Sequence, residues 1–314
     1  MIKRCRTEPE PPLPKAKPKR RPTPPVWRQL KLNKNLCNFP LARSARTKAK
    51  WNKDGQGWWC KLPGENRIEL AVAADTPQEK RRLPTDFDMN VLYRLLVAVQ
   101  DAWPQWVERV TFDSKAAFLR DLHLTKNNKN RRRLLSSLDL WSNLSIHFVQ
   151  WKKHPAPWHV PGQSQPIAKD LAPPIRSFEF RGRKIVVTLD REWVKLAKPK
   201  GYFALAPFPL PREATAQNLA LYILAWMFGE DVLGEVTYRT NPIKKRTLCH
   251  KIGLRARKER LEKIVEIESK WFAQRNTFGV SMIDGDDCVD AAELRRGHVV
   301  FLLERPRVPR RKKT

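Results

Sequence analysis

From residue 85 onward, apolar and polar positions recur at helical spacing. Phe87, Val91, Leu92, Leu95, Leu96 and Val99 fall on one face, with Thr85 or Asp86 as N-cap and Trp103-Pro104 as the stop. A second helix is predicted from Asp113 or Ser114, carrying Phe118, Leu119 and Leu122 inward. After the short link Leu124-Thr125-Lys126, a third runs from about Asn127 to Trp141, and residues 145–151 then read as a strand. Helix, helix, tight link, helix and strand pair is the order of a winged helix. The second strand is expected at residues 178–180 or 184–189, reached through a proline-rich insertion at 152–174. That insertion is long for a loop and reads as a flexible wing or a segment with a partner of its own.

The order then repeats. Residues 214–228 predict a helix with Leu219, Tyr222, Ile223 and Trp226 on one side, and residues 244–252 a second with Leu248, Cys249 and Ile252. Gly253-Leu254 makes the turn into a third helix at 255–273, with Leu261, Ile264, Val265 and Trp271 inward. Residues 279–283 and 298–303 are expected to pair as strands. The fold class this implies is α+β: two tandem winged-helix domains (helix-turn-helix plus β-wing), at 85–210 and 211–306. A disordered Pro/basic tail (1–25) and a tryptophan-containing extension (26–84) precede them, and a basic tail (307–314) follows. The indoles of Trp27, Trp51, Trp58 and Trp59 stand among lysines, where they either stack on exposed nucleotides or pack on the first domain under lysine stems.

Charge points to a partner. The chain carries 62 Lys and Arg against 32 Asp and Glu, a formal +30 over 314 residues. Self-repulsion of that size becomes tolerable when a polyanion supplies the opposing charge. Nucleic acid fits better than membrane, because no stretch approaches the roughly 20 apolar residues of a spanning helix. The N-terminus also alternates proline with base and lacks the apolar middle of a signal peptide. The chain therefore reads as soluble and intracellular, a cytoplasmic protein associated with DNA. Cys5, Cys37, Cys60, Cys249 and Cys288 are odd in number and scattered, and read as reduced thiols.

A helix that enters the major groove keeps one apolar face on its domain and turns the other to the bases. At about 100° per residue, Leu134, Leu135, Leu138 and Trp141 share one arc, and Lys129, Arg132, Arg133 and Ser136 share the opposite one. Lys126, Asn127, Asn128 and Asn130 sit at the N-terminal end, where amides can pair with adenine edges and arginines with guanine N7 and O6. In the second repeat, Arg255, Glu259, Glu262, Lys263 and Glu266 form a mixed face that suits a dimer surface or solvent equally. Arg255, Arg257, Lys258 and Arg260 cluster at its start beside Lys244, Lys245 and Arg246, as candidates for phosphate or first-turn base contact.

Catalytic patterns are missing. His154 and His159 are too far apart in sequence for the paired metal-binding histidines of a nickase. Residues Gly229 to Gly234 are followed by Glu235 and Val236, so a phosphate-binding loop lacks its lysine. Asp284, Asp286 and Asp287 around Gly285 read as a turn. No enzyme activity, metal or cofactor is expected.

Leu83-Pro84-Thr85-Asp86-Phe87-Asp88, leading into the helix that carries Val91 to Val99, resembles the opening of plasmid replication initiator proteins with tandem winged helices. Phe118-Leu119-Arg120-Asp121-Leu122 with the helix and strand that follow is similar to their first winged helix, and Leu219-Ala220-Leu221-Tyr222 to the start of their second. The resemblance spans about residues 83–304. It implies binding to repeated sites in double-stranded DNA at a replication origin, opening of the neighbouring duplex with host initiation factors and helicase, and a possible homodimer that represses its own promoter. It makes the Lys126–Arg133 and Arg255–Arg260 segments the groove readers. The alternatives are a transcription regulator built from the same modules and, from another class, a nuclease or nickase.

Overall fold

The computed structural model describes residues 28–33, 41–63, 65–102, 105, 107–148, 170–197, 203–232, 235–254, 261–266, 279–286 and 295–304. The expected tails at 1–25 and 307–314 lie outside them. Strand β1 (Arg28–Asn33) is followed by an antiparallel meander of β2 (Asn52–Lys53), β3 (Gly57–Leu62) and β4 (Glu65–Ala73). The Asp54 carboxylate turns the chain between β2 and β3 by accepting the N–H groups of Gln56 and Gly57, both at 2.9 Å. Gly57 allows β3 and β4 to close, since a Cβ there would collide with the Val72 carbonyl. Cys60 and Leu62 point inward with Ile68, Leu70 and Val72 of β4, while Trp58 and Trp59 are half-buried. This sheet inside the tryptophan-containing extension was invisible to periodicity, because lysines and indoles share its outer positions.

Helix α1 (Asp86–Asp101) starts on a capping box. The Thr85 side chain accepts from the Asp88 N–H, and the Asp88 carboxylate accepts from the Thr85 N–H at 2.8 Å. Strand β5 (Arg109–Phe112) leads into α2 (Lys115–Asp121), capped by Ser114, and then into α3 (Asn128–Asn143), capped by Asn127. These three helices match the sequence reading to within a turn. The strands do not. Strand β6 (Ser145–Phe148) pairs with β4 and with β7 (Asp170–Leu171), and so belongs to the N-terminal sheet. The expected pairing of residues 145–151 with 178–180 or 184–189 is therefore corrected. Instead β8 (Ile175–Arg181) and β9 (Lys184–Leu189) pair with each other, and β5 is their third strand. Gly182, at φ 61°, closes the tight hairpin between β8 and β9, and β6 bridges the insertion to β7 instead. Most of that insertion, up to residue 169, lies outside the described residues.

Helix α4 (Arg191–Ala197) and strand β10 (Phe203–Phe208), which pairs with β1, lead to α5 (Ala214–Trp226). The predicted helix 214–228 ends at Trp226, where β11 (Met227–Val232) begins and pairs with β12 (Glu235–Thr240). Gly229, a poor helix former, sits in this unforeseen hairpin. Next come β13 (Ile243–Lys244), α6 (Lys245–Ile252), α7 (residues 261–266), β14 (Gly279–Asp284) and β15 (His298–Glu304). Strands β14 and β15 pair as expected. Of the predicted helix 255–273, residues 255–260 and 267–273 lie outside the described residues.

The two halves of this mixed α/β structure repeat one topology. In each, a short strand entering the second helix pairs with the last strand of the C-terminal hairpin: β5 with β9, and β13 with β15. The turn after that helix also recurs. His123 takes φ 55° and Gly253 φ 77°, and the next residue donates back to the helix, Leu124 to the Leu119 carbonyl at 2.9 Å and Leu254 to the Cys249 carbonyl at 2.7 Å.

One apolar cluster runs through both halves, from Leu41 to Phe301. Buried amides stitch it. Asn218 donates to the carbonyls of Ala42 and Ile252. Asn90 on α1 accepts from the Leu210 N–H at 2.8 Å and donates to the Leu210 carbonyl at 3.3 Å. Asn90→Ala would strand both backbone groups of buried Leu210, at about 1–3 kcal/mol for a group left unsatisfied. Urea unfolding of the full chain should show a loss of at least that size, and an unchanged midpoint would mean that Asn90 does not hold Leu210 against α1.

Candidate nucleic-acid interface

Helix α3 has two faces. Leu134, Leu138, Leu140 and Trp141 are buried, and the Trp141 indole N–H donates to the Asp88 carbonyl at 2.8 Å. Leu135, placed in the same arc by the sequence, is only half-buried. Lys126, Asn127, Asn128, Lys129, Arg132, Arg133 and Ser136 are exposed. So is Arg131, which the sequence reading passed over. Lys126, Lys129, Arg131 and Arg132 have no acidic partner among the described residues. Arg133 lies 4.2 Å over the Phe87 ring, and the Ser136 hydroxyl and carbonyl each receive the Arg82 guanidinium at 3.4 Å.

The asparagines divide. Asn128 is exposed at the first turn. Asn127 caps the helix, its Oδ1 accepting from the Asn130 N–H at 2.8 Å and its Nδ2 donating to the Thr125 hydroxyl at 3.0 Å. Asn130 is buried and donates to the Thr125 carbonyl at 3.0 Å, so its placement among base-contacting residues is corrected. Its amide holds the link before α3, because the cap turns this position inward.

The β8–β9 turn adds residues that the sequence reading missed. Arg181, Gly182, Arg183 and Lys184 are all exposed. Glu179 partly neutralises the neighbourhood through Arg109 at 2.7 Å and Arg181 at 2.8 Å, whereas Arg183 and Lys184 have no ion pair among the described residues. Lys115, at the start of α2, lies 4.2 Å over the Phe180 ring of β8, so the turn and that helix start share one side of the molecule. The signal was present as a glycine between two arginines with alternating strands on either side.

The second half keeps less of its expected set. Lys244 and Arg246 are exposed. Lys245 is corrected: its ammonium pairs with Asp284 and Asp286 and ties α6 to the end of β14. Burial alone would lower the Lys245 pKa, but the hydrogen bonds and charges of the two aspartates outweigh it and hold it above the usual value. The aspartates also form a turn, with Asp284 accepting from the Asp286 N–H and Asp286 from the Gly297 N–H. Arg255, Arg257, Lys258 and Arg260 lie outside the described residues, as do His154, His159 and Asp287. Among the described residues no group of His, Cys, Asp and Glu could hold a metal ion, and no helix is long and apolar enough to cross a membrane.

No family model and no curated protein matches the chain. Among solved structures it is similar to two crystal structures of domains 2 and 3 of RctB. One, of the selenomethionine derivative, shows 10% identity and a TM-score of 0.45, covering 86% of this chain and 97% of the other. The second shows 9% identity and a TM-score of 0.46, covering 87% and 97%.

The Asp88 carboxylate, which caps α1 and holds Arg82, has a pH signature. Burial alone would raise the Asp88 pKa, but Arg82, through two contacts at 2.5 and 2.8 Å, and the Thr85 N–H and hydroxyl outweigh it and hold it below the ordinary 3.8. Such a group stabilises the fold above its unfolded pKa, and that contribution is lost as pH falls through the lower folded value. Asp86 shifts upward, chiefly by burial, with the opposite sign, and is common to wild type and variant. Thermal unfolding below about pH 4 should therefore fall more steeply for wild type than for Asp88→Asn. Parallel curves would remove Asp88 from the set of stabilising carboxylates.

Proposed function

We propose that the chain is a sequence-specific double-stranded DNA-binding protein built from two tandem winged helices, in which α3 reads the major groove and the β8–β9 turn grips the adjacent backbone. The exposed Lys129 and Arg132, which have no acidic partner among the described residues, on a helix anchored by its opposite face support this reading, with Lys126 just before the helix and Arg131 at its first turn adding positive charge. Unpaired guanidinium and ammonium groups cost little in water, yet on a chain of +30 they gain most against phosphate and guanine edges. Asn128 and Arg132 supply base contacts, and Arg133 and Ser136 define the edge of the face beside α1. Arg183 and Lys184 supply phosphate contacts, and Lys244 and Arg246 do so in the second half.

The resemblance of Leu83 to Asp88 and of Leu219 to Tyr222 to plasmid replication initiators extends the proposal to origin repeats. There, two modules on one duplex would bind cooperatively at spacings near ~10 bp, one helical turn. The protein acts by binding and remodelling DNA with host factors, and no hydrolytic step is assigned to it. Incubation with supercoiled DNA and Mg²⁺ should leave the DNA intact, and nicking would contradict this assignment.

Selection from random duplexes followed by titration tests the reading itself. Arg132→Ala should weaken binding to the selected duplex by about 1–3 kcal/mol and relax its sequence preference. Arg183→Ala should weaken selected and random duplexes alike and lower the salt slope by roughly one unit. Equal losses on both DNAs for Arg132→Ala would show that α3 does not read bases.

A further inference from the structure

The segment at residues 44–48 lies between two open clefts, and Ser44, Ala45, Thr47 and Lys48 line both. The larger, of about 1070 Å³, is lined by Arg46, Lys48, Arg212 and Lys263 against Asp86 and Glu213. The smaller, of about 570 Å³, holds Lys48, Arg81 and the Asp88-paired Arg82 with the half-buried indoles of Trp51 and Trp58, and no carboxylate lines it among the described residues.

The ends of these clefts give them a direction. Lys263 stands on α7, the third helix of the second half. Arg82 reaches Ser136 on α3, the third helix of the first. The 44–48 segment thus joins the two helices that correspond to each other in the repeat. It is also firmly seated, because Arg43 beside it is buried and donates to the Pro63 carbonyl at 2.6 Å. Arg81 is held too: its guanidinium lies 3.6 Å over the Trp58 ring and donates to the Thr76 carbonyl at 2.8 Å. Arg46, Lys48 and Lys263 are exposed and have no acidic partner among the described residues.

We propose that the 44–48 segment is a third DNA contact, a backbone track that carries the sugar-phosphate strand of a duplex between the two third helices. This rests on the duplex-binding reading above. Asp86 and Glu213 face the larger cleft and Asp88 engages Arg82, but Arg46, Lys48 and Lys263 are left over, and such surplus cations along one strip suit a polyanion whose charges repeat along a line, as in a duplex that runs between the two helices. The strip reads no bases. Its contribution is affinity and the relative placement of the two modules on one molecule of DNA.

The test uses the full chain and a random-sequence duplex, so it requires no knowledge of the preferred site. Each phosphate contact adds about 0.9 to the slope of log Kobs against log salt concentration. Arg46→Ala/Lys48→Ala should lower that slope by about 2, and Lys48→Gln alone by about 1. Both side chains are exposed, so urea midpoints should match wild type and confirm that the variants fold. An unchanged slope in folded variants would overturn the track. So would a loss confined to the single strand of the same sequence, which would assign the clefts to unpaired DNA. Failure of the wild-type protein to prefer any sequence would overturn the proposed function, and the slope measurement is independent of that outcome.

Discussion

The Trp141 indole donating to the Asp88 carbonyl fixes the rotation of α3 about its own axis. Around it, Leu134 and Leu138 are buried and Asp88 ties together Arg82 and Thr85. A helix held by a single row of leucines could roll. A buried indole with an obligatory hydrogen bond cannot do so without stranding its N–H. Because one face is locked, the opposite face is defined, and Lys129, Arg132 and Ser136 become one surface with a direction.

That surface belongs to a larger geometry. The hairpin turn carrying Arg183 and Lys184 is placed by β5, which pairs with β9 and delivers the chain into α2. The same strand-to-hairpin closure recurs in the second half through β13 and β15. The halves are not independent bodies joined by a tether, since Gln217 on α5 donates to the Asp86 carbonyl of α1 and Asn218 to Ala42 of the extension, within one apolar cluster. This packing of two copies of one module sets the distance between their third helices and, on the proposed reading, the spacing of the DNA sites that both would occupy.

Much of this was legible in the sequence, for identifiable reasons. Helices α1, α2 and α3 announced themselves through apolar spacing and through Thr85, Ser114 and Asn127, side chains that cap helices by simple local chemistry. Strand pairing was not legible, because period-2 alternation at residues 145–148 says that a strand exists and not which strand it meets. The link region misled in a different way. Asn128 and Asn130 look equivalent in the sequence, but a cap at Asn127 turns Asn130 inward to Thr125 and leaves Asn128 in solvent. Lys245 likewise reads as one more base in a basic run until the fold brings Asp284 and Asp286 against it. The 44–48 strip carried no periodic signal, and its position between the two third helices comes from the folding of the extension.

Methylation interference on the duplex recovered by selection tests the central claim most directly, because guanine N7 lies in the major groove and adenine N3 in the minor. If α3 reads the major groove, N7 methylation at one or more guanines should block binding by the wild-type protein, and the block should disappear at a particular guanine in Arg132→Ala. Interference confined to adenine N3, or an N7 pattern indifferent to Arg132, would contradict it.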